Sequence, residues 1–218
     1  MAMTADGKIA TANRAVSTFG SERDHEHLLE LRATADAVMA GAATVNAAPI
    51  NLGPGTLKFR RRRIKTGLAE YNLRVIVSGS GSINPDAEIF RKKFSPVIIL
   101  TTQRASAKKL NRLRAVADEV KICGKTEINF RAALRWLGEK WKVKRLLCEG
   151  GGELNDSLFR TGLVDEVHLT ICPKIFGGRQ APTIADGLGA KNLTLAVEFR
   201  CISARHINGE LFTAWIGA

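Results

Sequence analysis

The stretch "VKRLLCEGGGELNDSLFR" (143–160) decides how the chain is read. An apolar run closes on Cys148 and Glu149, three glycines follow, and helical spacing sets in from about Glu153 to Arg160. Strand, glycine corner and helix together form the repeating unit of an α/β sheet. Glycine loses the most entropy where a chain is held in one conformation, so three in a row imply a backbone that something approaches closely. A helix N-terminus behind such a corner aims free N–H groups and the positive end of the helix dipole at one point, which suits a phosphate. The spacing is neither G-x-G-x-x-G nor a P-loop, which needs Lys-Ser/Thr. A tight strand–helix corner with no ligand is the equal alternative.

Outward from this stretch the same alternation continues. "ADAVMAG" (35–41), "LRVIVSG" (73–79), "SPVIILTT" (95–102) and "DEVHLTICP" (165–173) read with 143–150 as short buried strands. "SERDHEHLLELRATA" (21–35) opens with a Ser-x-x-Asp cap and puts Leu28, Leu31 and Ala35 on one helical face. "RASAKKLNRLRAVA" (104–117) and "NFRAALRWLGEKW" (129–141) share that period. Strands separated by helices predict an α/β sheet, mainly parallel. The end differs: "LTLAVEFRCISARHINGELFTAWI" (193–216) is two β-rich runs joined at Asn208-Gly209, a pair suited to a type I′ turn, so an antiparallel ribbon is expected to finish the sheet. Residues 49–72 read as one long loop without structure of its own.

The chain has 218 residues, enough for one sizeable core, and a single domain over 1–218 is expected. It is 45% hydrophobic and 25% charged, the balance of a globular protein. No run approaches a membrane span, and "MAMTADGKIA" lacks the features of a signal peptide, which points to the cytoplasm. Cys123, Cys148, Cys172 and Cys201 form no C-x-x-C pair, and three of them sit in apolar runs, as buried thiols do. Neither His25 and His27 nor His168 and His206 have metal-ligand spacing. No metal site is expected. Lysines and arginines number 33 against 21 acids, a net charge of +12, which favours anionic partners: nucleic acid, acidic surfaces or phosphorylated small molecules.

Three further stretches are ambiguous on their own. "TADGKIA" (4–10) is a turn whose Lys8 is either solvated or functional. "GAATVNAAP" (41–49) follows a strand and opens a short helix, placing the Thr44 hydroxyl at the carboxyl edge of the sheet, where ligands of open α/β sheets bind. "KFRRRRIK" (58–65) falls in the long loop with a single aromatic, Phe59; it reads first as a solvated loop, then as a phosphate contact, and least as a nucleic-acid surface, which would pair such charge with a recognition helix or stacking platform.

Taken in order, "TADGKIAT", "FGSERDHEHLLELRATADAVMAGAATV", "VSGSGSINPDAEIF" and "CEGGGELNDSLFRTGLVDEVHLTICPKIFGGRQAPT" resemble the pyrimidine reductase domain of riboflavin biosynthesis, joined to a deaminase in many bacteria and free-standing elsewhere. The resemblance runs from residue 4 to about 216. It implies a dihydrofolate-reductase-like fold: a mixed, mostly parallel sheet flanked by helices, with a C-terminal antiparallel hairpin. It also implies NADPH as cofactor and reduction of the ribosylamino side chain of a phosphorylated pyrimidine to ribitylamino. The substrate would be 5-amino-6-(5-phosphoribosylamino)uracil or its 2,5-diamino precursor; another pterin or pyrimidine is the alternative. The cofactor supplies the hydride while the protein aligns donor and acceptor.

Carried over by motif, Glu149 with Gly150, Gly151 and Gly152 would meet the cofactor's pyrophosphate and nicotinamide half. Thr44 would lie at the cofactor cleft, and Ser78 near the adenosine 2′-phosphate with an arginine of 60–63. Asp6, Ser21 and Arg32 match substrate positions, and Lys8 is the expected catalytic residue, polarising the ribose or relaying a proton. The family often forms dimers, and a homodimer is expected, with no membrane or nucleic-acid partner. Two departures stand out. Ala48 occupies the place of an acid expected at the substrate's ribose, and only Met1 to Ala5 stand where the family has a full strand before its Asp-Gly-Lys turn.

Overall fold

The computed structural model describes residues 1–14 and 18–217. The chain runs β1 (Ala2–Thr4), α1 (Glu22–Arg32), β2 (Ala37–Gly41), α2 (Ala42–Ala47), α3 (Leu57–Lys65), β3 (Leu73–Ser78), α4 (Glu88–Arg91) and β4 (Val97–Thr101). It continues through α5 (Ala107–Arg114), β5 (Glu119–Ile122), α6 (Phe130–Trp141), β6 (Leu146–Cys148), α7 (Gly152–Arg160) and β7 (Glu166–Cys172) to the strands β8 (Phe199–Ile207) and β9 (Glu210–Gly217). By its contacts the chain divides into two units, residues 27–149 and residues 1–26 with 150–218.

The unit 27–149 holds a parallel sheet in the order β5-β4-β3-β2-β6. Its middle strands are Val/Ile/Leu runs because a parallel sheet is covered on both faces. All five residues of β4 are buried, and Ile98, Ile99 and Leu100 are fully so. Each such side chain stabilises by about 1.5–3 kcal/mol on leaving water. Val38, Ala40, Ile76, Val97 and Ile99 form one face with Leu52, Ile89, Phe90 and Leu113 packed on it. Arg74 of β3 lies inside this unit. Its guanidinium donates to the Ile89 carbonyl at 2.7 Å, to the Ser95 hydroxyl at 3.1 Å and to the Ser95 carbonyl, and stacks 4.3 Å from the Phe94 ring centroid.

The long loop expected over 49–72 is corrected: Leu57–Lys65 is a helix. Lys and Arg are good helix formers, and the tertiary anchor is a pair one turn apart. Phe59 packs with Leu29 and Ala33, and Arg63, 1% exposed, donates to the carbonyls of Ala69 at 2.8 Å, Arg32 at 2.8 Å and Ala35 at 2.5 Å. The basic run is therefore the exposed side of a helix, with Lys58, Arg61, Arg62 and Lys65 in solvent.

The other unit holds the order β1-β7-β9-β8. β1 runs parallel to β7, while β9 lies antiparallel to β7 and β8. The terminal hairpin forms as expected: Asn208 and Gly209 take φ of 51° and 83°, the left-handed values that a type I′ turn requires. The ribbon pairs with β7 in a sheet of its own, so the hydrogen bonding expected of one sheet is shared between two. β1 has three residues, and the Met1 ammonium extends it by donating to the His168 carbonyl at 2.8 Å. Cys123 and Cys172 are buried, Cys148 is half-buried and Cys201 is exposed. Among the described residues no helix is long and apolar enough to cross a membrane.

Candidate active site

In the unit 27–149 the strand order reverses at β2, which has β3 on one side and β6 on the other. Ligands of open parallel sheets bind beyond the carboxyl ends of the strands at such a reversal. Thr44 lies in the first turn of the helix that follows β2, Ser78 is the last residue of β3, and Glu149 directly follows β6. The Glu149 amide donates to the Met39 carbonyl at 2.8 Å and so continues the β2–β6 ladder. Three residues named from sequence therefore share one edge of this sheet.

Arg32 joins them through Glu149, 117 positions away in sequence. Its Nε donates to Oε1 at 2.6 Å and its Nη2 to Oε2 at 2.7 Å, while Nη1 donates to the Gly53 carbonyl at 2.8 Å. The side chains are 12% and 13% exposed. A bidentate pair this sheltered fixes both planes and is stronger than a surface ion pair. Three of the five guanidinium N–H groups are engaged, which leaves two for a ligand. At Gly53 an added Cβ would lie 2.7 Å from the tip of the Phe94 ring, so a side chain there would have to displace that ring.

Ala48 lines a shallow cavity of about 320 Å³ together with Val45, Asn46, Pro49, Asn84 and Arg91. Asn46 fixes its rim, donating to the Ser82 carbonyl at 3.1 Å and accepting from the Asn84 amide at 2.9 Å. Ala48 brings no carboxylate to this wall, whose charged residues are Glu88 and Arg91. Of the four arginines offered for a phosphate, Arg63 is buried in carbonyls and Arg60 donates to Glu70 and the Tyr71 hydroxyl. Arg61 and Arg62 stay exposed.

In the other unit, Asp6 and Lys8 sit on the turn after β1. The Asp6 carboxylate accepts from the Thr4 hydroxyl at 2.5 Å, from the Phe176 amide at 3.2 Å and from the Gly177 amide at 2.7 Å. The Thr4 hydroxyl, and after it these amides against a partial loss of hydration, hold the carboxyl below the usual carboxylate range. The Lys8 ammonium donates to the Ala181 carbonyl at 3.1 Å. Ser21 stands before α1, where its amide and hydroxyl donate to Glu210 at 2.8 and 2.6 Å and its hydroxyl accepts from the Asp24 amide.

The glycine corner is closely packed by its own chain. Gly150 has φ of 79°, and a Cβ there would run into the Met1 methyl. A Cβ on Gly152 would lie 2.7 Å from the Thr183 carbonyl oxygen and 2.8 Å from an Asp186 carboxylate oxygen. What approaches these two glycines is therefore the amino-terminal residue and the segment 183–186. Gly151, at the N-cap of α7 with extended φ of −67° and ψ of −174°, has no side-chain cap.

Sequence reasoning missed Glu210, Asp156 and Asp186. Glu210 is 4% exposed and takes Ser21 and the Cys172 thiol as donors. Burial first, and Glu210 second, push that thiol up to about 12. Asp156 binds Arg160 at 2.8 Å and the Gly189 amide, and Asp186 holds the Thr183 hydroxyl at 2.7 Å. The one sequence sign of Glu210 is an acid opening an apolar strand straight after a hairpin turn.

Comparison with known proteins gives the family of the chain. A reductase of Archaeoglobus fulgidus, 2,5-diamino-6-ribosylamino-4(3H)-pyrimidinone 5′-phosphate reductase, is 33% identical over 187 residues, 86% of this chain and 84% of that protein. The crystal structure of a pyrimidine reductase-like protein from Corynebacterium diphtheriae matches with a TM-score of 0.82 at 23% identity, covering all of this chain and 89% of that one. Acinetobacter baumannii RibD matches at 0.77 and 17%, and this chain spans 56% of its length. The two structures show the shared fold. Residues 1–212 match the family described as the RibD C-terminal domain, and the chain belongs to that family.

Proposed function

We propose that this chain is an NADPH-dependent reductase that converts the ribosylamino side chain of 2,5-diamino-6-ribosylamino-4(3H)-pyrimidinone 5′-phosphate, or of its deaminated counterpart, to ribitylamino. The observation that carries the reading is the Archaeoglobus reductase of that name, matched over most of both chains. The edge beyond β2 and β6 supports it, because Thr44, Ser78 and Glu149 stand where a parallel sheet takes a ligand.

In the unit 27–149 the Thr44 and Ser78 hydroxyls suit a dinucleotide's phosphates, and in the other unit Gly151 offers an uncapped helix end. Thr44, Ser78, Glu149 and Gly150 to Gly152 would hold the dinucleotide. A nicotinamide cofactor bound there would supply the hydride for the reduction. Lys8 polarises the ribose or gives the proton to nitrogen. Ser21 and Arg32 face the substrate, Arg32 with the two N–H groups that Glu149 and Gly53 leave to a phosphate. The whole chain is proposed as one reductase domain, a homodimer of the cytoplasm, with no membrane or nucleic-acid partner.

The test is to follow NADPH consumption by purified protein with each of the two pyrimidines, with dihydrofolate as control, and to identify the ribitylamino product by mass spectrometry. NADPH binding without turnover of either pyrimidine would refute the substrate. Turnover of dihydrofolate alone would favour the reading that Ala48 argues for, a relative acting on another ring. NADH in place of NADPH tests the nucleotide, and light scattering tests the dimer.

A further inference from the structure

Hydrogen bonds at several points hold the turn after β1 to the segment 174–183. The Ala5 amide donates to the Lys174 carbonyl and the Ile9 amide to the Pro182 carbonyl, both at 2.9 Å, and Lys8 bridges to Thr183. Between these ends the segment bends through Gly177 and Gly178, with φ of 64° and 81°. At the bend the ties are the Phe176 and Gly177 amides, both received by Asp6. An ionised carboxylate has about four acceptor sites, and Asp6 has filled three of them from its own chain. The Thr4 hydroxyl that donates to Asp6 accepts from the Lys8 amide at 2.9 Å, and Thr4 is fully buried. A line of hydrogen bonds thus runs from the Lys8 backbone through Thr4 and Asp6 to Gly177. The Lys8 ammonium then binds Ala181, four residues further along the same segment.

We propose that Asp6 is a positioning residue: its carboxylate latches the segment 174–183 to the Lys8 turn and so fixes the Lys8 ammonium, instead of touching the substrate as its place in the motif suggests. This rests on the reductase reading for its kinetic consequence, and on the geometry alone for the latch. Replacing Asp6 removes the central tie while the two outer backbone ties remain, so the segment stays attached and loses its register over Lys8. Misplacement of a catalytic group by about 1 Å costs on the order of a hundredfold in rate.

The test compares Asp6→Asn with the parent chain. In Asn the shape is kept, but one oxygen becomes an NH2 group facing backbone N–H donors, which repels where the carboxylate accepted. The expected result is a fall in kcat of roughly ten- to a hundredfold with the pyrimidine KM and the NADPH Kd changed by less than about threefold. Amide hydrogen exchange at 176–177 and 181–183 should accelerate in the same variant. Should Asp6→Asn fail to fold, Thr4→Val removes the hydroxyl end of the same line at nearly constant volume, with the same pattern expected at smaller size. A raised KM with exchange at 176–183 unchanged would make Asp6 a substrate ligand and overturn the proposal. Absence of turnover in the parent chain would refute the reductase reading and leave exchange to decide the latch.

Discussion

Replacing the three glycines of the corner one at a time should give three different outcomes. Gly152→Ala places a methyl group 2.7 Å from the Thr183 carbonyl oxygen and 2.9 Å from the Asp186 amide. Both are backbone atoms, tied by the Asp186 carboxylate to the Thr183 amide and hydroxyl, so neither can turn aside as a side chain would. Forced overpacking of this kind costs about 1–3 kcal/mol. For a chain of this size each kcal/mol lowers Tm by about 2–4 °C, so the loss should be about 2–12 °C. Gly150→Ala meets the Met1 methyl, the end of an unbranched side chain that can turn aside more easily than backbone. Its cost is the left-handed backbone, about 1–2 kcal/mol for a residue with a Cβ. For Gly151→Ala the backbone is no obstacle: its φ of −67° suits alanine, and a loss of roughly half a kcal/mol at the N-cap is offset by lower entropy in the unfolded chain. Calorimetry and NADPH titration by fluorescence would separate the three. Gly152→Ala and Gly150→Ala should lose stability, whereas Gly151→Ala should keep its Tm and bind NADPH at least about tenfold more weakly, a difference of about 1.4 kcal/mol. An unchanged Tm in Gly152→Ala would refute the packing argument. Normal NADPH affinity in Gly151→Ala would remove the corner from the cofactor site.

Arg74→Met keeps the bulk but leaves the Ile89 and Ser95 carbonyls without their charged donor, and urea unfolding should show a loss of about 2–4 kcal/mol, since each buried unpaired group costs about 1–3; a change below about 1 kcal/mol would contradict this. Glu210→Gln weakens two charge-assisted bonds from Ser21 at the start of α1 and should cost about 1–3 kcal/mol by the same measurement, with an unchanged midpoint telling against it. The Cys172 thiol, pushed up to about 12 from 9.0, holds its proton in the folded state where the unfolded chain has lost it. Its contribution is therefore complete below 9.0 and declines as pH rises from there toward 12, so Cys172→Ala should flatten the alkaline loss of stability; an identical slope would refute the assignment. Under native conditions a thiol reagent should modify exposed Cys201 first and Cys123 and Cys172 only on unfolding, and simultaneous reaction of all four would contradict the burial.

The strands were legible where burial is on both faces: β3 and β4 carry the apolar runs Val75–Val77 and Val97–Leu100, and the buried Arg74 of β3 survives there because its guanidinium is partnered. The hairpin was legible from two residues, since Asn208-Gly209 is a local requirement of the turn. β5 was not, because "EVKI" is a half-buried edge strand and carries too few apolar residues for a pattern. Nor was α3, whose register depends on Arg63 finding three carbonyls in Arg32, Ala35 and Ala69, a tertiary fact that makes a buried cation look like one of four solvated ones. At the site, Thr44, Ser78 and Glu149 could be placed because the edge of a parallel sheet follows from the order of elements. The pairing of Arg32 with Glu149 could not, since contacts across 117 positions leave no local trace.

The net charge gains meaning once it is located. Residues 27–149 carry twenty-four lysines and arginines against ten acids, while the remainder carries nine against eleven. The whole excess thus belongs to the parallel-sheet unit, and part of it is structural: Arg32, Arg63 and Arg74 are spent on a carboxylate and on carbonyls. What remains on the surface includes Lys58, Arg61, Arg62 and Lys65, spaced three, one and three residues apart so that they share one side of α3. Exposed charge of one sign raises the local concentration of anions over a range set by salt, about 8 Å at physiological ionic strength. Such a field draws in any phosphorylated ligand without choosing among them. Under the proposed function, selection would fall to the fixed donors, Thr44 and the two N–H groups left on Arg32, which are held in place by the sheet edge and by Glu149. On that proposal attraction and recognition would be carried by different arginines of the same unit, which the sequence alone presents as one basic composition.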